Sequence, residues 1–421
     1  MKVLIIGSGG REHTLAWKIS QSKKVKKIYC APGNAGTALI GENVPINEDI
    51  SALIEFAKKE SIDLTIVGPE APLVNGVVDA FEKENLRIFG PSQKAAMLEG
   101  SKDFCKEVMT SAGVPTAKYK TITSIEEKES ILAEFDKAAV KADGLAAGKG
   151  VLLCKSKEEI SNALDQILSD KAFGSAGNKV VVEEFLEGEE ASILAFCDGK
   201  NVKLMVSSQD HKRALDGDNG LNTGGMGAYS PAPVAEGLES RIEKEIIQPM
   251  VDEMQKRGTP YKGILYAGLM ISGNEIKVIE FNARFGDPET QVVVTRMDFD
   301  IIDAFNACID GTLNQLELKW KSESACCVVM ASGGYPEAYE KGKEIFGIKE
   351  ADAVRGVTVF HAGTKLDKEK ILTSGGRVLG VTGLGKGIKE AIETAYKGVE
   401  KISFEGAHYR KDIGRRALER L

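Results

Sequence analysis

The stretch KVIEFNARFGDPETQ, residues 277–291, carries the densest chemistry in the chain. In a strand, residues i, i+2 and i+4 share one face. Glu280, Asn282 and, if the strand continues, Arg284 then point together, with Ile279 and Phe281 toward the core. A carboxylate beside an amide oxygen suits a divalent cation such as Mg²⁺, which takes hard oxygen ligands and completes its shell with phosphates and water. An arginine next to them can hold a carboxylate through paired hydrogen bonds. The bland alternative is a polar face turned to solvent.

Two further stretches point to a polyphosphate. In KADGLAAGKGV, Lys141 ends an apolar run, Gly144, Gly148 and Gly150 punctuate a loop, and Lys149 lies within it. Glycines let backbone N–H groups approach phosphate and lysines neutralise it. No G-K-[ST] closes the loop, so it is not a Walker A motif. A hairpin with solvated lysines is the competing reading. In VVVEEFLEGEE, a strand runs out into Glu183 and Glu184, then Phe185, Leu186, Gly188 and Glu190. Exposed backbone beside apolar side chains can clamp an adenine, and a later acid can reach ribose hydroxyls. An acidic surface turn would look the same.

The opening, MKVLIIGSGGREH, reads as strand, glycine turn and helix, a place where α/β proteins hold anions. Gly7 and Gly9 fit the dinucleotide fingerprint G-x-G-x-x-G, but Glu12 stands at the third position. The second strand ends in Cys30 and Ala31, without the acid that would bind a ribose. The turn therefore holds a different anion or is purely structural, rather than a nicotinamide site.

These residues need a scaffold. Strand signals at 2–6, 27–31, 63–67 and 87–89 each end in a Gly or Pro turn, which predicts a doubly wound parallel sheet whose turns gather at one edge. A helix reads through 101–113, with Ser101 as N-cap and Gly113 as stop. A small α+β unit follows, with a helix over 124–134, strands AAVKA, VLLC and KVVVEEF, and a helix over 156–169. Region 190–325 holds longer strands and helices near 235–256 and 299–309; short strands and a helix near 385–401 complete the chain. The expected divisions are 1–122, 123–190, 191–325 and 326–421.

At 421 residues, several cores are needed. A net charge of −7 argues against a general nucleic-acid binder, and no apolar run reaches the roughly 20 residues of a membrane span. Seven cysteines without C-x-x-C spacing suit a reducing cytoplasm, and Cys326 and Cys327 read as core. Four histidines make a histidine-rich metal site a poor fit.

In order along the chain, GSGGREH, PGNAG, GPE, KADGLAAGKG, SSQDHKR, NTGGMGAYSP, EFNARFGDPETQ and GGRVLGVTGLG resemble the glycinamide ribonucleotide synthetase family of ATP-grasp enzymes. The resemblance implies an N-terminal substrate domain, a small lid, a central ATP-grasp domain with the metal site and a C-terminal domain. It implies ATP-dependent joining of glycine to 5-phosphoribosylamine through a glycyl phosphate, with Mg²⁺ or Mn²⁺. By motif, Lys102, Lys141, Gly148 and Lys149 meet the ATP phosphates, Glu183, Phe185 and Leu186 the adenine, and Glu190 the ribose. Glu280 and Asn282 hold the metal. Arg284 takes the glycine carboxylate, and Asp210 is a second catalytic candidate. Gly9, Gly10, Asn34, Glu70, Arg213 and Gly225 complete the substrate site. The acid that many ATP-grasp enzymes carry one strand earlier is missing from LYAGLMI. The expected partners are small molecules, not nucleic acid or membrane, and the expected state is a monomer. The rivals are another ATP-grasp ligase or carboxylase of nucleotide metabolism, and a non-catalytic nucleotide sensor.

Overall fold

Apolar runs such as Val3–Ile6, at most 1% exposed, suit strands buried on both faces, as in a parallel sheet covered by helices. They form it here in the computed structural model, which describes residues 1–145, 150–170 and 174–420. Strands β1 (Lys2–Gly7), β2 (Lys27–Pro32), β3 (Glu42–Asn43), β4 (Leu64–Val67) and β5 (Ile88–Phe89) are parallel, in the order β3-β2-β1-β4-β5. The strand order turns at β1 and β4, so the loops after these two strands flank the ligand crevice. Helix α1 (Gly10–Ser20) leaves β1 directly through Gly9.

Helix α2 (Lys102–Ala112) starts at Ser101, whose hydroxyl accepts the Phe104 N–H at 3.1 Å, and stops at Gly113 with φ of 69°. Both ends are where the capping residues placed them. The small unit that follows is an antiparallel sheet of β6 (Tyr119–Ile122), β7 (Ala138–Ala142), β8 (Val151–Cys154) and β9 (Val180–Glu184), ordered β6-β9-β7-β8. It has its own hydrophobic core, including Ile131, Val140, Ile160 and Val182.

The central sheet is β11-β10-β16-β17, built from β10 (Glu189–Asp198), β11 (Val202–Leu204), β16 (Lys262–Ser272) and β17 (Glu275–Asn282). The helix expected near 235–256 arrives in three pieces, Glu239–Ile242, a π-turn at Glu243–Ile247, and Gln248–Lys256. Pro249 cannot donate a backbone hydrogen bond into that turn, which accounts for the interruption.

A further sheet, β12-β15-β18-β22-β19, joins β12 (Gln209–Asp210) and β15 (Gly227–Ser230) to β18 (Ser324–Ala331), β19 (Val357–His361) and β22 (Arg377–Gly385). It thus runs across position 325. Two hairpins, β13 (Arg213–Leu215) with β14 (Asn219–Asn222) and β20 (Thr364–Asp367) with β21 (Lys370–Thr373), stand beside it. The glycines of GGRVLGVTGLG have a packing reason: a Cβ at Gly383 would lie 2.3 Å from the Ala395 backbone nitrogen in the helix Ile388–Val399. All seven cysteines are buried thiols, Cys326 and Cys327 among them. Among the described residues no helix is long and apolar enough to cross a membrane.

Candidate active site

Strand β17 sets the site, and it does so through a bulge. Ile276 and Val278 face the core, then the pairing with β16 slips between Gly268 and Leu269, and from there Phe281, Ala283 and Phe285 face inward. Ile279 is the extra residue. It is half-buried rather than a core residue, which corrects the plain alternation read from the sequence. The extra residue reverses the pleat, as bulges do. Glu280, Asn282 and Arg284 are the half-buried alternate positions on the other face.

Glu280 lies in a basin of positive charge. Burial alone would raise its carboxyl, but Lys212, Lys141, Lys102 and Arg284 hold it below its ordinary value. Lys102 opens α2, so its ammonium stands at the helix start, where it donates to the Gly144 carbonyl at 2.9 Å. Burial and Lys141 lower its pKa, while Glu280 opposes them. Lys141 donates to the carbonyl of the bulged Ile279 at 3.0 Å. Lys141, Lys212 and Arg284 are tied to other acids, whereas Lys102 makes no ion pair among the described residues and is the cation best placed to meet an anionic ligand. Gly148 and Lys149 lie outside the described residues.

Both oxygens of Glu183 are engaged by lysines, Oε1 by Lys141 and Oε2 by Lys106, each at 2.8 Å. Phe185 and Leu186 are half-buried in the link between β9 and β10. Glu190 pairs with Lys212 at 2.7 Å, and its carbonyl accepts from the Gln209 side chain. Asp210, next to Lys212, is pushed up to about 8, chiefly by burial, with Glu289, Glu190 and Glu280 adding to the shift and Lys212 opposing it.

Arg284 reaches the first domain. Its guanidinium meets Glu70 at 3.2 Å and Glu99 at 2.8 Å, and Glu99 also accepts the Ala283 N–H. Glu70 follows β4, so Arg284 and the crevice loops share one wall. The crevice itself is closed by Glu12. Its Oε2 accepts the Gly9 N–H at 2.5 Å, and Oε1 accepts Arg11 Nε at 2.6 Å. A Cβ at Gly7 or Gly68 would come within 2.6 Å and 2.1 Å of the Glu12 side chain. The residue that broke the dinucleotide fingerprint therefore packs against the turn, and the Gly9 N–H is already taken.

Asn34 holds three segments together, donating to the Ser8 and His361 carbonyls at 2.8 and 2.9 Å and accepting the Gly36 N–H. Gly10 packs on helix α3 (Glu289–Thr295), where a Cβ would lie 2.6 Å from Gln291 Nε2. Arg213 bonds the Gly220 carbonyl inside its own hairpin. Gly225, at φ of 114°, leaves room for Pro288. A cavity of about 340 Å³ opens between Ser8, Gly9 and Asn34 on one side and Tyr335, Gly363 and Arg377 on the other, with Asp287 in its wall. Arg377 ties the Gly224 and Asp287 carbonyls together at 2.7 and 2.6 Å. The line Glu280–Asn282–Arg284–Asp287 thus leads from the cationic basin to this cavity.

Four residues were not singled out from the sequence. Lys106 lies within the helix read through 101–113, and Lys212 within SSQDHKR. Arg377 sits in a glycine-rich turn far along the chain. Glu289, in PETQ, opens α3 and accepts from Tyr266 and Ser192 hydroxyls at 2.9 and 3.2 Å. Lys106 left one signal: it lies beside Cys105, Val108 and Met109 on the inward arc of its helix.

Three sequence-family models match in succession, described as phosphoribosylglycinamide synthetase N domain (residues 1–99), ATP-grasp (A) domain (100–290) and C domain (325–416). A phosphoribosylamine–glycine ligase of Ralstonia nicotianae is 52% identical over 425 residues, covering all of both chains. A human trifunctional purine biosynthetic protein, adenosine-3, is 51% identical over 99% of this chain and 42% of its own length. The crystal structure of a phosphoribosylamine–glycine ligase from Thermotoga maritima superposes with a TM-score of 0.86 at 36% identity, covering 98% of this chain and 100% of that one. A biotin carboxylase from Campylobacter jejuni, 16% identical with a TM-score of 0.71 over 97% of this chain and 92% of its own, shares the fold alone. With matches that run through every domain and a relative alike from one end to the other, the chain belongs to the phosphoribosylglycinamide synthetase family.

Proposed function

We propose that the chain joins glycine to 5-phosphoribosylamine with cleavage of ATP, giving glycinamide ribonucleotide, ADP and phosphate through a glycyl phosphate, in purine (IMP) biosynthesis. The observation that carries the reading is the buried charge cluster in which Glu280 lies near Lys102, Lys141, Lys212 and Arg284, on a strand that continues to the cavity beside Asp287. The basin suits a triphosphate and the cavity suits a small sugar phosphate, since about 300 Å³ is the lower end of ligand pockets.

A carboxylate is a poor electrophile, and phosphorylation gives it a leaving group. Lys102 and Lys141 hold the phosphates, so the transfer is achieved by positioning and charge neutralisation. Glu183 and the link through Phe185 and Leu186 receive the adenine, and Glu190 the ribose. Arg284, fixed by Glu70 and Glu99, orients the glycine carboxylate. Asp210, buried near Lys212, Glu190 and Glu280, is assigned to the catalytic site. The small sheet of β6 to β9 covers the acyl phosphate and excludes water.

Glu280 and Asn282 present hard oxygen donors, and among the described residues neither side chain has another hydrogen-bond partner, so they fit Mg²⁺ or Mn²⁺. Held there, a divalent ion would supply neutralisation of phosphate charge. The buried free thiols suit a reducing cytoplasm.

The test is ADP release with glycine and freshly made phosphoribosylamine, each omitted in turn, and with bicarbonate in place of glycine. Turnover should need both substrates. Rapid ADP formation without them, or with bicarbonate alone, would overturn the assignment.

A further inference from the structure

Lys106 is 1% exposed, yet it carries a charge. Its ammonium pairs with Glu183 Oε2 at 2.8 Å and donates to Thr116 Oγ1 at 2.7 Å, and it lies 5.5 Å from the Tyr119 ring centre. Thr116 donates to the Val278 carbonyl at 2.8 Å. The other Glu183 oxygen takes Lys141, which donates to the Ile279 carbonyl next along β17. The contacts close a ring through α2, β9, β7 and the bulge of β17.

One lysine would balance one carboxylate. Glu183 has two, and the second is an expensive group to bury. Lys106 faces the protein on every side, so it serves the site through Glu183. A carboxylate oxygen that accepts from a lysine keeps a further lone pair. Glu183 can therefore still accept from a ligand, but it has no hydrogen to give while it stays ionised.

We propose that Lys106 is a positioning residue that fixes the plane of the Glu183 carboxylate, so that the site selects a 6-amino purine over a 6-oxo purine. The inference rests on the reading that Glu183 meets the adenine. An amino group donates to an ionised carboxylate, whereas a 6-oxo group sets lone pairs against it. Without Lys106, Glu183 Oε2 loses its partner while Oε1 keeps Lys141, so the carboxylate is free to turn away from the amino group and the discrimination falls.

The experiment compares kcat/KM for ATP with kcat/KM for inosine triphosphate in the full chain. Wild type should favour ATP. Lys106→Met should lower the ATP-to-ITP ratio by about tenfold or more, the scale of one charge-assisted hydrogen bond. A merely structural role would slow both nucleotides alike and leave the ratio unmoved. Thr116→Val keeps the charge and removes only the hydroxyl that orients it, so it should lower the ratio in the same direction by a smaller factor. It serves as the deciding variant if Lys106→Met fails to fold, and an unchanged ratio in the folded variant overturns the proposal. Glu183→Gln separates the two levels. If it shifts the ratio and Lys106→Met does not, the role of Lys106 falls and the adenine reading stands. If neither shifts it, the adenine reading falls first.

Discussion

His13 makes the contact between the first domain and the C-terminal sheet sensitive to acid. Its Nδ1 accepts the His361 backbone N–H at 2.7 Å, and its ring meets Phe360 and His361 edge-on at 5.8 and 5.4 Å. Burial, with a smaller contribution from His361, pushes the His13 pKa from 6.5 down to about 3. The neutral ring therefore stabilises the fold fully above 6.5, and that contribution is lost as the pH falls toward the folded value. At about pH 5 the unfolded histidine has bound its proton and the folded one has not. One and a half units at about 1.36 kcal/mol per unit makes a loss of about 2 kcal/mol. Asn is the informative replacement, because its Oδ1 falls close to the place of Nδ1 and can keep the bond to His361 without titrating. His13→Asn should cost stability near pH 7 through lost ring packing, and the gap to wild type should close by about 2 kcal/mol on going to pH 5. Urea unfolding followed by tryptophan fluorescence reads this, since Trp17 packs edge-on against Phe360 at 5.6 Å. Comparing the two proteins cancels the opposite trend of Asp210, whose raised pKa favours the fold as the pH falls. Parallel pH profiles for the two proteins would refute the reasoning.

Glu280→Gln and Asn282→Ala should weaken Mn²⁺ binding, measured by calorimetry with the nucleotide present, and cut turnover at limiting Mg²⁺ while the melting temperature stays near wild type; unchanged affinity would show the shared face misread. Gly10→Val should raise the apparent KM for phosphoribosylamine and leave that for ATP nearly unchanged. Its Cβ crowds Gln291, so a stability loss of about 1–3 kcal/mol in urea should accompany the effect, and loss of ATP binding with an unaltered phosphoribosylamine KM would be the contrary result. Hydrogen exchange in β7 and β9 should slow when a non-hydrolysable ATP analogue binds, because this sheet has a core of its own and carries Lys141 and Glu183; no change there, with protection elsewhere, would count against a closing lid.

Much of the scaffold was legible because it follows local rules. The four strand signals of the first domain correspond to β1, β2, β4 and β5, and the brief β3, two residues long, gave no periodic signal. Ser101 and Gly113 bounded their helix because capping is local. Glu280, Asn282 and Arg284 could be placed on one face by alternation alone. The bulge at Ile279 could not, since it arises from pairing with β16 rather than from β17 itself. Lys106 and Lys212 were missed for a similar reason: a lysine looks solvated until its distant partners, Glu183 and Glu190, are brought to it. That Glu12 would pack on the opening turn was not legible, because it required the close approach of Gly68 from another loop.

The sheet that runs across position 325 has a consequence for synthesis. β15, with every residue buried, pairs on one side with the two-residue β12 and on the other with β18, which is made almost a hundred residues later. At about 5–20 residues per second on the ribosome, that is roughly 5–20 s during which one edge of β15 has no partner. An apolar edge left open invites pairing with other chains. The stretch around Gly227–Ser230 is therefore where a nascent chain is most exposed to aggregation, and a translational pause placed before β18 should lower the soluble yield more than the same pause placed after it.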